Sequence, residues 1–322
     1  MRIIIYGIGA IGGAIAVRLA LTGHDVVAIA RGRQLAAVRE TGLALHTPEG
    51  IETARFAVHS DPSEVDFQPD DVILMTMKSQ DSPAALERLA ETGVFDQAVF
   101  CFQNGVANER MAQRYFPNVY GVTVMMPAVY QVAGAVAAFG TPKRGLFDIG
   151  RYPRGIDDVT IGLCDILNAA GFVASSSDEV MQSKYRKLLA NLRNATGAAL
   201  TDEETDAKWY VRARAEAETV LRAAGIAWED GESLDRKELM QEGAVAGVDR
   251  IGSSSLQSLK RAAGSIETDY LNGEIALLGR LHGIQTPVNT AICRLSRRMA
   301  AGAIVPQSLT DADIEREVAT SG

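Results

Sequence analysis

A chain of 322 residues with a formal net charge of −8 lacks the excess of basic residues that nucleic acid or an anionic membrane surface demands. Its composition, 47% apolar and 22% charged, is that of an ordinary globular protein of about two domains at roughly 150 residues each. Three scattered cysteines, Cys101, Cys164 and Cys293, match no zinc spacing and no disulfide framework, so they read as small core residues in a reducing cytoplasm.

The stretch from Ile3 to Val17 is apolar but broken by Gly7, Gly9, Gly12 and Gly13. It reads as neither a signal peptide nor a membrane span. Residues 2–6 predict a buried strand, 10–22 a helix ended by Gly23, and 25–30 and 71–76 two further strands. Ser82-Pro83 opens a helix that stops near Gly93, with Pro in the first turn where its missing N–H costs nothing. Strands follow at 97–102 and 119–126, so the rhythm implies a mostly parallel, doubly wound sheet. Gly134, Gly140 and Gly145 punctuate short apolar runs and predict a hairpin at the sheet edge. A helix over 157–170 and a short strand at 172–174 close this half.

From Ser177 onward the spacing is helical throughout: one long helix to Leu200, then Tyr210 to Ala224, Ile266 to Leu281, and Val288 to Met299. The acidic tail after Leu309 is predicted to fray. The boundary falls at the change of pattern, giving domains 1–175 and 176–322.

Gly7-Ile8-Gly9-Ala10-Ile11-Gly12 follows a strand and opens a helix. Gly7 allows a tight turn, Gly9 lets backbone approach a pyrophosphate, and Gly12 lets the helix pack on the strand. The free N–H groups of the helix start, around Ala10 and Ile11, suit phosphate oxygens. The fold class expected is therefore an α/β Rossmann domain followed by an all-α helical domain. NAD-specific sites place a carboxylate at the end of the second strand, to accept from the ribose 2′-OH. This chain reads Ala30-Arg31-Gly32-Arg33 there. Guanidinium groups suit a 2′-phosphate, so NADPH/NADP is the cofactor expected, held by Arg31 and Arg33.

Polar groups recur where core or plain loop is expected. Thr76-Met77-Lys78-Ser79-Gln80 and Phe102-Gln103-Asn104-Gly105-Val106 end two strands, at the carboxyl edge where open α/β sheets bind ligands. Lys187, Asn191 and Asn194 share one stripe of a helix. That stripe is also compatible with a solvated face, although Asn is a poor helix former. Glu267 on local sequence is equally a first-turn carboxylate that favours a helix dipole.

With Ser254-Ser255-Leu256-Gln257 and Glu267-Thr268-Asp269-Tyr270-Leu271-Asn272-Gly273 added, the ordered set resembles the ketopantoate reductase (2-dehydropantoate 2-reductase) family over most of the chain. The resemblance implies NADPH-dependent reduction of a small 2-oxo acid bound between a Rossmann and a helical domain, in pantothenate biosynthesis. It implies Lys187 as the catalytic lysine at the C2 carbonyl and Glu267 as the glutamate at the substrate hydroxyl. Asn191 and Asn194 become substrate-binding, Ser254 or Ser255 holds the carboxylate, and Asn104 and Lys78 lie at the nicotinamide edge. A cytoplasmic enzyme is implied, with no nucleic-acid, membrane or metal partner and with a homodimer allowed.

Departures fall on the substrate side. Met125-Met126-Pro127 stands where the family often carries His-Gly-Ala, and position 195 is Ala, with the carboxamide at Asn194. The substrate therefore stays open between ketopantoate and another small oxo acid or ketone. A second class of reading is a non-catalytic NADPH-sensing module. An opine- or 6-phosphogluconate-type dehydrogenase would require a catalytic His or another Lys-Asn pattern, and none of His24, His46, His59 and His282 sits at a motif.

Overall fold

The computed structural model describes residues 1–229, 238–249, 252–260 and 266–321. Two compact units divide them. The first holds Met1–Gln103, Asn108–Ser183 and residues 238–249; the second holds Asn104–Ala107, Lys184–Glu229, 252–260 and 266–321.

In the first unit the order is β1 (Ile3–Tyr6), α1 (Ala10–Leu21), β2 (Val26–Ile29), α2 (Gly32–Thr41), β3 (Leu43–Thr47), β4 (Gly50–Ala54), β5 (Ala57–His59), β6 (Val72–Met75) and α3 (Ser82–Ala90). Then come β7 (Ala98–Cys101), α4 (Asn108–Ala112), β8 (Val119–Met125), β9 (Ala128–Val132), β10 (Ala135–Ala138), β11 (Gly140–Pro142), β12 (Leu146–Arg151), α5 (Asp158–Ala169) and β13 (Val173–Ser176). Eight strands form one sheet in the order β13-β12-β8-β7-β6-β1-β2-β5. It is parallel except where β12 runs antiparallel to β8.

The continuous apolar runs are explained by burial on both faces. Ile3 and Ile5 face a core with α1 and α5, while Ile4, between them, faces a second core with Leu86 and Leu89 of α3. Val72 and Leu74 against Ile73 and Met75 repeat the same alternation on β6.

The predicted hairpin exists as β9–β10, turning at Gly134 with φ 84°. It is not at the edge of the main sheet. With β3 and β4 it makes a separate four-stranded sheet, β4-β3-β10-β9, against which α1 packs. Gly13 marks that contact: a Cβ there would press on Val136 and Leu43 side chains at 3.1 and 3.2 Å.

The second unit contains α6 (Val180–Asn191) from Lys184 onward, α7 (Arg193–Ala199), α8 (Glu203–Ala223), α9 (Ser254–Lys260), α10 (Asn272–His282), α11 (Pro287–Ala300) and α12 (Asp311–Ala319). Its core gathers Trp209, Ala213, Ala195, Ile292, Leu295 and Ile314.

Three sequence expectations change here. The long helix to Leu200 is two helices, interrupted at Leu192. The tail does not fray: Thr310 and Asp313 form a reciprocal capping box, Ile314 is buried, and Asp311 accepts from Trp209 Nε1 at 2.8 Å. The chain after residue 177 is also not helical throughout. β14 (Met240–Glu242) pairs antiparallel with β11, and Val245 joins Val129, Ala137 and Phe139 in a small core of the first unit.

Candidate active site

The glycine turn lies between β1 and α1, where strand order reverses about β1, with β2 on one side and β6 on the other. Gly7 has φ 102°, a conformation open to glycine and strained for other residues. Added to Gly12, a Cβ would collide with the Gly7 carbonyl and the Thr76 side chain, so this glycine sets the close approach of helix to strands. Thr76 completes the joint by donating its hydroxyl to Gly7 O at 2.5 Å. A Cβ on Gly9 would meet nothing within 4 Å. Backbone is therefore accessible at Gly9, and no carboxylate occupies the first turn of α1 at Ala10 and Ile11. These features fit a bound pyrophosphate.

Gln34 is a contributor the sequence reading missed. Buried on α2, it donates Nε2 to Ile8 O at 2.9 Å and accepts from Gly134 N at 2.9 Å, bracing the glycine turn against the hairpin. Nothing in its local sequence distinguishes it from a surface glutamine. Arg31 precedes α2 with its side chain 83% exposed, and its guanidinium meets Asp81 at 2.7 Å. Arg33 is exposed on the first turn of α2.

The two polar segments at the carboxyl edge divide into structural and outward members. Ser79, Ser82, Gln103 and Asn108 are all buried. Ser82 Oγ donates to Asn108 Oδ1 at 2.7 Å, Gln103 Nε2 to Ser82 Oγ at 3.1 Å, and Asn108 Nδ2 to Ser79 Oγ at 3.0 Å. This mesh fixes the loop after β6 to the loop after β7. Lys78 and Asn104 are half-buried. Asn104 belongs with the helical unit, where the backbone passes so close to Tyr270 O that a Cβ on Gly105 would lie 2.8 Å from it.

In the helical unit, two hydrogen-bonded joints and one packing contact tie the segments that carry the predicted substrate-side residues. Lys187 and Asn191 share one face of α6, with Leu188 and Leu189 buried beside them. Asn194 lies beyond the interruption, on α7, so it is displaced from the uniform stripe predicted for a single helix. The first joint is Ser253, which caps α9 by accepting from Leu256 N at 3.3 Å and donates its hydroxyl to Asn194 O at 2.7 Å. It brings the first turn of α9, with half-buried Ser254 and buried Ser255, to the Asn194 helix. The second joint is Asn272, whose Nδ2 reaches Leu192 O at 3.4 Å. The packing contact joins α10 to α11: a Cβ on Gly273 would stand 3.6 Å from Cys293 Sγ.

Glu267 opens a 3₁₀ turn, Glu267–Tyr270, that leads into α10, and is 7% exposed. It is not the first-turn carboxylate of an α-helix. Lys187 is half-buried. One turn earlier on the same helix, Lys184 is only 2% exposed, a second buried amine that the sequence reading did not single out. Asn191 is 6% exposed, and its Nδ2 has no hydrogen-bond partner among the described residues. A buried amide donor without an acceptor is costly and calls for a ligand or an ordered water. Burial pushes the thiol of Cys164 up to about 11 and that of Cys293 up to about 12, so neither is a nucleophile.

Residues 3–153 match the family described as Ketopantoate reductase PanE/ApbA, and residues 179–300 match its C-terminal counterpart. The chain belongs to the ketopantoate reductase family. It is an oxidoreductase of that family. A 2-dehydropantoate 2-reductase of Pyrococcus horikoshii is 29% identical over 294 residues, 90% of this chain and 94% of that protein. The crystal structure of a PanE/ApbA family ketopantoate reductase from Ralstonia eutropha superposes with a TM-score of 0.78 at 27% identity, covering 94% of this chain and 99% of that one. D-mandelate dehydrogenase, in its ternary structure with NADH and anilino(oxo)acetate, shares the fold at a TM-score of 0.79, with 23% identity and the same coverage. Among the described residues no helix is long and apolar enough to cross a membrane.

Proposed function

We propose that this chain reduces a small 2-oxo acid, 2-dehydropantoate in the first instance, to the 2-hydroxy acid, with NADPH preferred over NADH. The observation that carries the reading is Asn191: a buried amide whose donor has no acceptor among the described residues, one helical turn from the Lys187 amine. That pair offers an oxygen-rich substrate a neutral donor beside a cationic one.

Bound NADPH would supply the hydride that C2 of the oxo acid receives. Lys187 donates a hydrogen bond to the C2 carbonyl oxygen, disperses the charge that develops there, and transfers its proton as C2 becomes tetrahedral. The lysine then recovers a proton from solvent, which closes the balance. Glu267 accepts from a substrate hydroxyl, while Asn191 and Asn194 donate to its oxygens. The first turn of α9, with Ser254 and Ser255, holds the carboxylate. Lys78 and Asn104 would hold the nicotinamide ribose, and Arg31 and Arg33 the 2′-phosphate. The relatives named 2-dehydropantoate 2-reductase support this substrate. The departure at Ala195, whose carboxamide is displaced to Asn194 on α7, makes other small 2-oxo acids the competing substrates within the same chemistry. The burial of Cys101, Cys164 and Cys293 suits a reducing cytoplasm.

The test is NADPH oxidation across a panel of 2-oxo acids that includes 2-dehydropantoate, with Lys187→Ala in parallel. Turnover of at least one acid is expected. In Lys187→Ala, kcat should fall by about 10²–10⁴-fold, the usual worth of a general acid, with NADPH affinity unchanged. No turnover of any acid by the parent protein favours an NADPH-sensing module instead.

A further inference from the structure

Where α6 gives way to α7, the joint at Leu192 is held from elsewhere in the chain. Asn272, the first residue of α10, is fully buried at 0% exposure, and its Nδ2 donates both to Leu192 O at 3.4 Å and to Asn289 Oδ1 at 3.0 Å. Asn289 in turn donates Nδ2 to Ala213 O at 2.9 Å and to Glu216 Oε2 at 2.8 Å. Those two acceptors fix which end of the Asn289 carboxamide is nitrogen, and therefore leave its oxygen for Asn272. Glu216 anchors the chain: its carboxylate accepts the backbone N–H of Val288 at 2.8 Å and of Asn289 at 3.0 Å. It thereby satisfies orphan donors at the start of α11 from a neighbouring helix.

The network links four segments. Leu192 directly follows Asn191 and closes the helix that carries Lys187; Asn272 closes the short segment that begins at Glu267; Asn289 lies on α11 and Glu216 on α8. A polar relay running from the half-buried Glu216 to the buried Leu192 carbonyl is expensive to build unless every donor is matched to an acceptor. In this relay, each of the donors on the two asparagines is matched. We propose that Asn272 is a positioning residue for the reduction. It acts by clamping the α6–α7 joint to the Glu267 segment, so that the amine of Lys187, the amide of Asn191 and the carboxylate of Glu267 hold one mutual geometry. This inference rests on the site reading given under Proposed function and adds to it a residue that does not touch substrate.

Asn272→Ala removes both donors, leaving the Leu192 and Asn289 oxygens without them. Because misplacement of a reacting group by about 1 Å costs on the order of 10²-fold, kcat should fall about 10- to 100-fold while the KM for NADPH changes less than about two-fold. Glu216→Gln loosens the same relay from its outer end. It should lower kcat in the same direction by less, and it carries the test if Asn272→Ala does not fold. In the double variant the two losses should not multiply, since both act through one network. Met299→Ala, a core truncation in the same helical unit, controls for loss of stability: at a matching fall in Tm it should keep kcat within about three-fold. All four are assayed beside Lys187→Ala. A parent-like kcat in Asn272→Ala or, where that variant does not fold, in Glu216→Gln, with Lys187→Ala inactive, overturns the positioning role and leaves the site reading intact. So does an equal kcat loss in Met299→Ala. Parent-like turnover by Lys187→Ala overturns the site reading and this inference with it.

Discussion

At the scale of single residues, the groups that announce themselves in sequence are those whose chemistry is local. A glycine needed for close approach, or an arginine standing where a carboxylate would select NAD, can be read from its neighbours alone. The expectation placed on Arg31 is of that local kind. The Arg31–Asp81 ion pair is exposed on both sides, 83% and 40%, so it contributes little to stability and leaves the guanidinium free to turn toward an anion. Hydrogen bonds to a charged partner are worth roughly 1.5–3 kcal/mol, so Arg31→Ala should weaken NADPH binding by about 10- to 100-fold and NADH binding by much less. Titration of both cofactors by nicotinamide fluorescence checks this, and a parent protein that binds NADH as tightly as NADPH refutes it. Gln34, Ser253 and Asn272 could not be found in this way. Each is an ordinary polar residue whose role comes from a carbonyl it meets across 26, 59 or 80 positions of chain.

At the scale of elements, the β1–α1 turn separates two uses of glycine. Gly12 is closed in by the Gly7 carbonyl and Thr76, whereas Gly9 faces open space on the protein side. Gly12→Ala should therefore destabilise the fold by about 1–3 kcal/mol, the range for overpacking. Gly9→Ala should cost about 1 kcal/mol or less, yet weaken NADPH binding by tenfold or more, because the added methyl meets the pyrophosphate. Thermal melts with and without NADPH distinguish them: Gly9→Ala should keep the apo Tm and lose the ligand-induced rise, and the opposite pattern refutes the assignment. The strands flanking this turn were legible because parallel strands buried on both faces leave unbroken apolar runs such as Ile3-Ile4-Ile5. The interruption at Leu192 was not legible. Leu188 and Leu192 keep helical spacing, and Leu192 N still bonds to Leu188 O at 3.2 Å. What marks the joint is the carboxamide of Asn272, a tertiary partner that no local window contains.

At the scale of the whole chain, the two-part plan could be read from the change in periodicity, but its path could not. Asn104–Ala107 cluster with the helical unit, and residues 238–249 return to the nucleotide-binding unit through β14, whose Glu242 pairs with Gly140. A strand of three residues, Met-Gln-Glu, has no period to detect. The same limit applied to the tail, where acidity suggested fraying, yet Asp311 and Asp313 serve as partners of Trp209, Lys208 and the Thr310 cap. The division of cores makes a final prediction. Ile314 is buried in the Trp209 cluster, whose described members all belong to the helical unit. Ile314→Ala should cost about 2–5 kcal/mol, the range for truncating a buried Ile to Ala. That loss should fall on the helical unit: the Trp209 environment should melt at lower temperature while NADPH affinity at 25 °C stays within about two-fold. Two observables keep the prediction sharp, near-UV signals for the tryptophan environment and cofactor titration for the glycine turn. If NADPH affinity fell in step with the tryptophan signal, the nucleotide-binding unit would depend on the helical core for its own fold, and the reading of two separately stabilised cores would be wrong.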